Sequence, residues 1–330
     1  METLRSPLSP GSLSLLPIVD PATVVSSSHC LNFILSYSMD SIVDFIIIGA
    51  AKCGTTAALH NLSKHPKIHM PQVLEPHFFD LCWSMGEARY RKIIGERPPD
   101  KLVGEKTPSY ISFFPAHRNM HLFVPDAKLI LFVRNPITRA FSNWNHIRLK
   151  IKPKVADGEW SLGVSITEGD SETSKTVLDK KVLSFPDMVA QALANMGDVQ
   201  KLHDKVSQDP DKPTAVDASF MNIVYRGLYI NQIENLLKFF PKEQLYIAVM
   251  ERVKSNMRKE YDKILAFLDL EPDEAVGHDL IAGGGGGPVL GGYDGNVIDE
   301  DTKRLLDIFY RPHNDRLRKF MDDDISEWAQ

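Results

Sequence analysis

Two kinds of apolar spacing alternate along the chain from Asp44 onward. Asp44-Phe-Ile-Ile-Ile-Gly49 is a short continuous apolar run ending in glycine, the pattern of a strand buried on both faces. Thr55 to His65 follows with Ala57, Ala58, Leu59 and Leu62 at helical spacing. Strand, tight loop and helix therefore occur in that order. The unit recurs at Lys128-Leu-Ile-Leu-Phe-Val133, with Pro136 at a first helical position and a helix through Ile147. In the reverse order, Tyr229 to Phe240 places Ile230, Ile233, Leu236, Leu237 and Phe240 on one helical face, and Gln244-Leu-Tyr-Ile-Ala-Val249 is the strand after it. Lys101-Leu-Val-Gly104 offers one more strand. Asp187 to Val206 reads as helical, and Asp299 to Phe309 and Pro312 to Met321 as two closing helices. Such alternation predicts an α/β fold, a central parallel sheet flanked by helices, with ligands at the carboxyl ends of its strands.

Two stretches break the pattern. Residues 6–39 carry one charge, Asp20, and are rich in Ser and Pro, so no core can be built from them. The 19 uncharged residues from Pro21 to Met39 approach spanning length, but their serines, His29 and Asn32 match hydrocarbon poorly, so no transmembrane anchor is expected. Residues 1–38 are read as a non-core leader or as an extension ahead of a true start at Met39, and 39–330 as one domain. Between Ile151 and Asn222 the composition shifts to Lys, Asp, Ser and Thr with no convincing strand. Residues 151–222 are expected to form an insertion or lid, or else a solvated loop.

Composition narrows the class. The chain has 330 residues, 43% of them hydrophobic and 25% charged, with a net charge of −5. A sizeable core is available, disorder is excluded, and the acidic balance argues against a nucleic-acid coat. Three cysteines without ligand spacing leave no structural metal and no disulfide framework. A reducing, cytoplasmic setting is the default, with organelle targeting through the leader as the alternative.

The candidate chemistry sits at the two strand ends. Gly49-Ala-Ala-Lys-Cys-Gly-Thr-Thr56 lies between strand and helix, where backbone N–H groups and a helix N-terminus cradle an anion. The glycine spacing fits a nucleotide-triphosphate loop, yet Thr55 stands at the lysine position and Lys52 lies inside the loop. After Val133 comes Arg134, where a phosphate-transferring ATPase would place a metal-binding Asp. Arginine there offers a planar donor fork to phosphate. Ser142 can add a hydroxyl, and from Ala127 to Ala156 there are seven Lys or Arg and no Asp or Glu.

Four blocks in order, Phe45 to Thr56, Glu75-Pro-His-Phe-Phe-Asp80, Gly104-Glu-Lys-Thr-Pro-Ser-Tyr110 and Val133-Arg-Asn-Pro-Ile-Thr-Arg-Ala-Phe-Ser142, resemble the sulfotransferases that use 3′-phosphoadenosine 5′-phosphosulfate (PAPS), in particular the heparan-sulfate branch. The likeness runs from about Asp44 to Met321, including Arg226-Gly-Leu-Tyr229 and Arg311-Pro-His-Asn314. It implies a P-loop-type sandwich and transfer of a sulfuryl group to an acceptor hydroxyl or amine, with adenosine 3′,5′-bisphosphate as product and no metal. Lys52, Cys53, Gly54, Thr55 and Thr56 match the 5′-phosphosulfate loop, Arg134 and Ser142 the 3′-phosphate pair, and Arg226 a further nucleotide contact. Glu75 stands at the base position, with Lys52, Lys106 and His77 as its catalytic companions and Asp80 shaping the same site.

The residues themselves permit this chemistry. Sulfuryl carries less charge than a terminal phosphate, so lysine and loop amides can stabilise the leaving group. A carboxylate held against an apolar Pro-His-Phe-Phe context is expected to carry a raised proton affinity. Read singly, Glu75 is a turn residue before Pro76, His77 a satisfied buried histidine, and Lys106 a partner of Glu105 or another acid. Cys53 is read as a small loop residue and not a nucleophile. The branch's Lys-Gly-Arg-like closing loop has no counterpart at Ala282 to Tyr293, which has no Lys or Arg. That departure points to a soluble enzyme with a smaller acceptor, small molecule or glycan, whose identity the sequence leaves open. A P-loop kinase and a non-catalytic nucleotide-binding module are the rival readings.

Overall fold

The computed structural model describes residues 41–153, 160–162, 183–197, 201, 222–278 and 297–328. Its centre is a five-stranded, wholly parallel sheet in the order β2-β3-β1-β4-β7. The strands are β1 (Phe45–Gly49), β2 (Ile68–His69), β3 (Leu102–Lys106), β4 (Lys128–Val133) and, after two strands outside this sheet, β7 (Leu245–Val249). Every residue of β1, and all of β4 after Lys128, is buried, which is why both read as unbroken apolar runs rather than alternating ones. Strand β1 lies between β3 and β4. The chain leaves it to one side through β2 and β3 and then to the other through β4, which makes its carboxyl end a topological switch point.

The helices are α1 (Thr55–Leu62), α2 (Gly86–Ile94), α3 (Phe114–Phe123), α4 (Pro136–Lys150), α5 (Phe185–Ala194), α6 (Tyr229–Leu236), α7 (Met250–Ser255), α8 (Met257–Phe267) and α9 (Glu300–Met321). Three differences from the periodicity stand out. The expected pair of closing helices is one 22-residue helix, α9, with Pro312 inside it. Pro312 is exposed, so the carbonyl it leaves unbonded faces water, while Leu306, Tyr310 and Leu317 keep one buried face running through the proline. The 151–222 stretch does contain strands, since β5 (Ile151–Pro153) pairs antiparallel with β6 (Trp160–Leu162). Three-residue strands are too short to show a period. The helix expected over 187–206 begins earlier, at Phe185, started by Ser184, whose hydroxyl accepts from the Asp187 amide; it runs to Ala194, turns at Asn195, and Met196, Gly197 and Lys201 are again helical. Residues 198–200 and 202–206 lie outside the described residues.

Two apolar cores result. The larger fills both faces of the sheet. The smaller joins Ile137, Ala140, Trp144 and Ile147 of α4 to Phe185, Val189 and Ala192 of α5, the segment around Tyr225, and Tyr310 of α9. The described helix of the 151–222 stretch is therefore a packed layer on α4, and Trp144 fastens it by donating to the Leu183 carbonyl at 2.9 Å. Among the described residues no helix is long and apolar enough to cross a membrane.

Candidate active site

The loop after β1 continues the sheet before turning away from it. The Ala50 amide donates to the Phe132 carbonyl of β4 at 2.8 Å, and the Cys53 amide closes a turn onto the Ala50 carbonyl at 3.0 Å. Gly54 then adopts φ +83°, and a Cβ there would come within 2.7 Å of Met250 Sδ. The positive φ favours glycine, and any Cβ would also have to displace the end of the Met250 side chain of α7. Helix α1 starts at Thr55 with no side-chain cap and no acidic residue in its first turn, so its N-terminal amides and positive dipole end are available to an anion. Lys52, at φ +72°, and Thr56 are half-buried, while Thr55 is buried.

Cys53 takes a different part from the one its position suggested. Its side chain is fully buried, Sγ 3.5 Å from the Tyr229 hydroxyl, and burial pushes the thiol pKa up. Both its amide and its sulfur are committed inside the protein.

Arg134 leaves the carboxyl end of β4 with its backbone fixed from two sides. Tyr229 Oη donates to the Arg134 carbonyl at 2.9 Å, and the next amide, of Asn135, donates to Glu251 at 3.0 Å. Its Nε is buried and has no hydrogen-bond partner among the described residues, a donor of the kind that a bound phosphate oxygen would satisfy. Ser142 is buried on α4. Asn143, beside it, accepts from Arg139 Nη1 at 3.3 Å and from Arg226 Nη1 at 3.5 Å. Arg139 is wholly buried, donates to the Ile223 carbonyl, and forms no ion pair among the described residues. Burial and the Arg139 cation disfavour the charge of Arg226, while the carboxylates of Asp80 and Glu75 favour it. The basic stretch from Ala127 is consequently not one solvated face, since Lys128 pairs with Asp269 at 2.5 Å and Arg139 is interior.

Strand β3 delivers the second group. Successive residues of a strand point to opposite faces, and here Glu105 and Lys106 are both buried but have different partners. Lys106, 1% exposed, donates to Glu75 Oε1 at 2.6 Å, so its partner is not Glu105. The other oxygen of Glu75 lies 3.4 Å from His77 Nε2, and His77 Nδ1 lies 3.1 Å from Asp80 Oδ2. Ser109 donates to the same Asp80 oxygen at 2.5 Å. The result is a line of alternating charge: Lys106, Glu75, His77, Asp80.

That line reverses the expected proton affinity of Glu75. Burial does favour the neutral acid, but the hydrogen bonds and charges of His77 and Lys106 outweigh it and hold the pKa at about 2. His77 is moved the other way. Burial works against its charge, yet the carboxylates of Asp80 and Glu75 raise it to about 10, so at neutral pH the ring is an imidazolium. Glu75 is exposed over two-fifths of its side chain, yet both its oxygens are engaged and it is not a neutral acid. The apolar neighbours suggested desolvation, whereas His77, and after it Lys106 from 31 positions away in sequence, decide the charge.

The phosphate loop and this cluster share one edge. Lys106 is in register with Ile47 of β1, the Thr107 amide donates to the Ile47 carbonyl at 3.1 Å, and a Cβ on Gly49 would strike Ile111. Sequence reasoning missed Ser109, Tyr229 and Asn143, which bind candidate residues rather than a ligand. The blocks Gly104 to Tyr110 and Arg226 to Tyr229 contained two of them.

Residues 43–281 match the family model described as a sulfotransferase domain. The mouse (Mus musculus) heparan sulfate glucosamine 3-O-sulfotransferase 6 is 30% identical over 291 residues, covering 83% of this chain and 70% of that protein. The human (Homo sapiens) 3-O-sulfotransferase 3B1 is 26% identical over 309 residues, covering 89% and 67%. A sulfotransferase crystal structure from Alicyclobacillus acidocaldarius shares the fold at a TM-score of 0.60 and 23% identity, covering 87% of this chain and 99% of that one. With a strand-loop-helix anion cradle, an arginine where a metal ligand would stand, and a family match over well more than half its length, the chain belongs to the sulfotransferase domain family and is a sulfotransferase enzyme.

Proposed function

We propose that the protein moves the sulfuryl group of PAPS to an acceptor hydroxyl, with Glu75 as the general base. The observation that carries this reading is the Glu75 carboxylate, held ionised by Lys106 and His77 at the strand edge that also bears the phosphate loop. PAPS supplies the sulfuryl group and leaves as adenosine 3′,5′-bisphosphate. The residues fit it: uncapped α1 amides with Lys52, Thr55 and Thr56 suit the 5′ end, and the orphaned Nε of Arg134 with Ser142 suits the 3′-phosphate.

At rest Glu75 is ionised but a weak base, because His77 and Lys106 together neutralise it. Turning the Lys106 ammonium toward charge developing on the transferred group withdraws part of that neutralisation, and the proton affinity of Glu75 rises as the hydroxyl proton leaves. The acceptor oxygen–sulfur bond forms, the sulfur–phosphate oxygen bond breaks, and the proton goes to Glu75. His77, fixed by Asp80, keeps the second carboxylate oxygen aimed. The names of the relatives support a glycan hydroxyl as acceptor.

The test is a panel of glycan and small-molecule acceptors with sulfur-labelled PAPS, run beside phosphorus-labelled ATP with Mg²⁺. Labelled sulfate on an acceptor is expected. Phosphoryl transfer from ATP without sulfate transfer would overturn the reading.

A further inference from the structure

Behind the charged line lies a second carboxyl group that the proposed reaction does not use. Glu105 is fully buried, accepts from Tyr90 Oη at 2.9 Å through Oε1, and has no hydrogen-bond partner for Oε2 among the described residues. Tyr110, equally buried, bears on the same carboxyl. Its hydroxyl accepts from the amides of Phe78 at 3.0 Å and Phe79 at 3.3 Å. Glu105 reaches the same two residues through Tyr90, on whose ring Phe78 and Phe79 pack. Phe78 and Phe79 are the two residues between His77 and Asp80.

His77 itself has φ +50°, a left-handed conformation that is costly for a side chain with a Cβ. Such a residue persists only where its surroundings over-determine it. The two amides that follow it are pinned by Tyr110, and the rings of Phe78 and Phe79 pack against Tyr90, with centroids 4.5 and 5.1 Å away. We propose that Tyr90, Glu105 and Tyr110 form a brace that holds His77 in this conformation and so aims its ring between Glu75 and Asp80, with Glu105 as a positioning residue. The inference rests on Glu75, His77 and Asp80 being the reacting cluster.

The groups facing Glu105 are Tyr90 from α2, Tyr110 from the turn after β3, and Asp80 and His77 from the loop before α2. Burial first, then the Asp80 charge, raise Glu105 to about 8, against hydrogen bonds and the His77 charge that lower it. The brace is therefore neutral at pH 7 and becomes charged in the mildly alkaline range.

The experiment follows the His77 ring by nitrogen-resolved NMR titration in the full chain, and reads no turnover. In Tyr110→Phe the amides lose their acceptor, and His77 should titrate lower by about one pH unit or more. An unchanged His77 titration in the folded variant overturns the brace. Glu105→Gln is the second variant, chosen because it keeps size and an acceptor for Tyr90. The wild-type His77 signal should inflect near pH 8 as Glu105 ionises, and Glu105→Gln should lack that inflection. An inflection present in both proteins, or absent from both, overturns the proposal. Because no acceptor is involved, these outcomes are independent of whether the donor reading holds.

Discussion

At the residue scale the active-site carboxylate is governed by its neighbours' charges. If Glu75 takes the acceptor proton, Glu75→Gln keeps the shape but not the basic lone pair, and turnover should fall by about two to four orders of magnitude. Affinity for adenosine 3′,5′-bisphosphate, measured by calorimetry, should stay as it was. Near-normal turnover would move the base elsewhere. The same charges set a pH dependence of stability. His77 is raised from 6.5 to about 10, so its contribution is complete below pH 6.5 and is lost as pH rises toward 10. Glu75 is lowered from 4.5 to about 2, so its contribution is present above pH 4.5 and is lost as pH falls toward 2. Urea melts of His77→Asn should show a shallower decline between pH 6.5 and 10 than the wild type. Equal slopes would mean that the ring is not an imidazolium in the native protein.

At the element scale, the loops that carry the proposed phosphate contacts are held by other elements. Gly54 at φ +83° lets α1 begin against Met250 of α7, so Gly54→Ala should cost about 1–3 kcal/mol in chemical denaturation. Bisphosphate binding should weaken with it, and unchanged values of both would show that the turn adapts. The C-terminal turn has a comparable role. Trp328 is 6% exposed and donates to Glu251 Oε2 at 3.0 Å, while the other oxygen of Glu251 takes the Asn135 amide next to Arg134. Arg252 fastens the same turn through Asp323 and through Glu327 at 2.6 Å. Trp328→Phe removes the hydrogen bond but keeps most of the packing, and it should loosen Asn135 and reduce bisphosphate affinity several-fold. Affinity equal to wild type would show that Glu251 orients Asn135 without help.

For the whole molecule, the strand order separates the proposed recognition and reaction groups. Arg134 follows β4 on one side of the loop after β1, and Lys106 ends β3 on the other. Nucleotide binding and turnover should accordingly respond to different substitutions. Arg134→Ala should abolish the preference for adenosine 3′,5′-bisphosphate over AMP, a charged fork on phosphate being worth roughly 1.5–3 kcal/mol, and should leave the fold intact. Equal affinities for the two nucleotides in the wild type would remove the 3′-phosphate assignment.

The strands β1, β4 and β7 were legible because a strand covered on both faces must be apolar throughout, and the loop after β1 because glycine and a following helix leave few alternatives. Arg134 was legible for a similar reason, being the first polar residue after a buried strand. Strand β2, with two residues, carries no period, and α9 read as two helices because Pro312 is a local signal while the buried face that carries the helix past it is not. The ionisation state of the site was not legible at all. Sequence determined which groups exist and at which strand ends they emerge, since both follow from local pattern. Only the tertiary structure brought Lys106 to Glu75, placed His77 between two carboxylates, and separated Glu105 from Lys106 onto different partners. A proton affinity depends on charges within a few ångströms: Lys106 comes to Glu75 from 31 residues away, and Glu75, His77 and Asp80, though near in sequence, meet only in the backbone conformation that the fold imposes at His77.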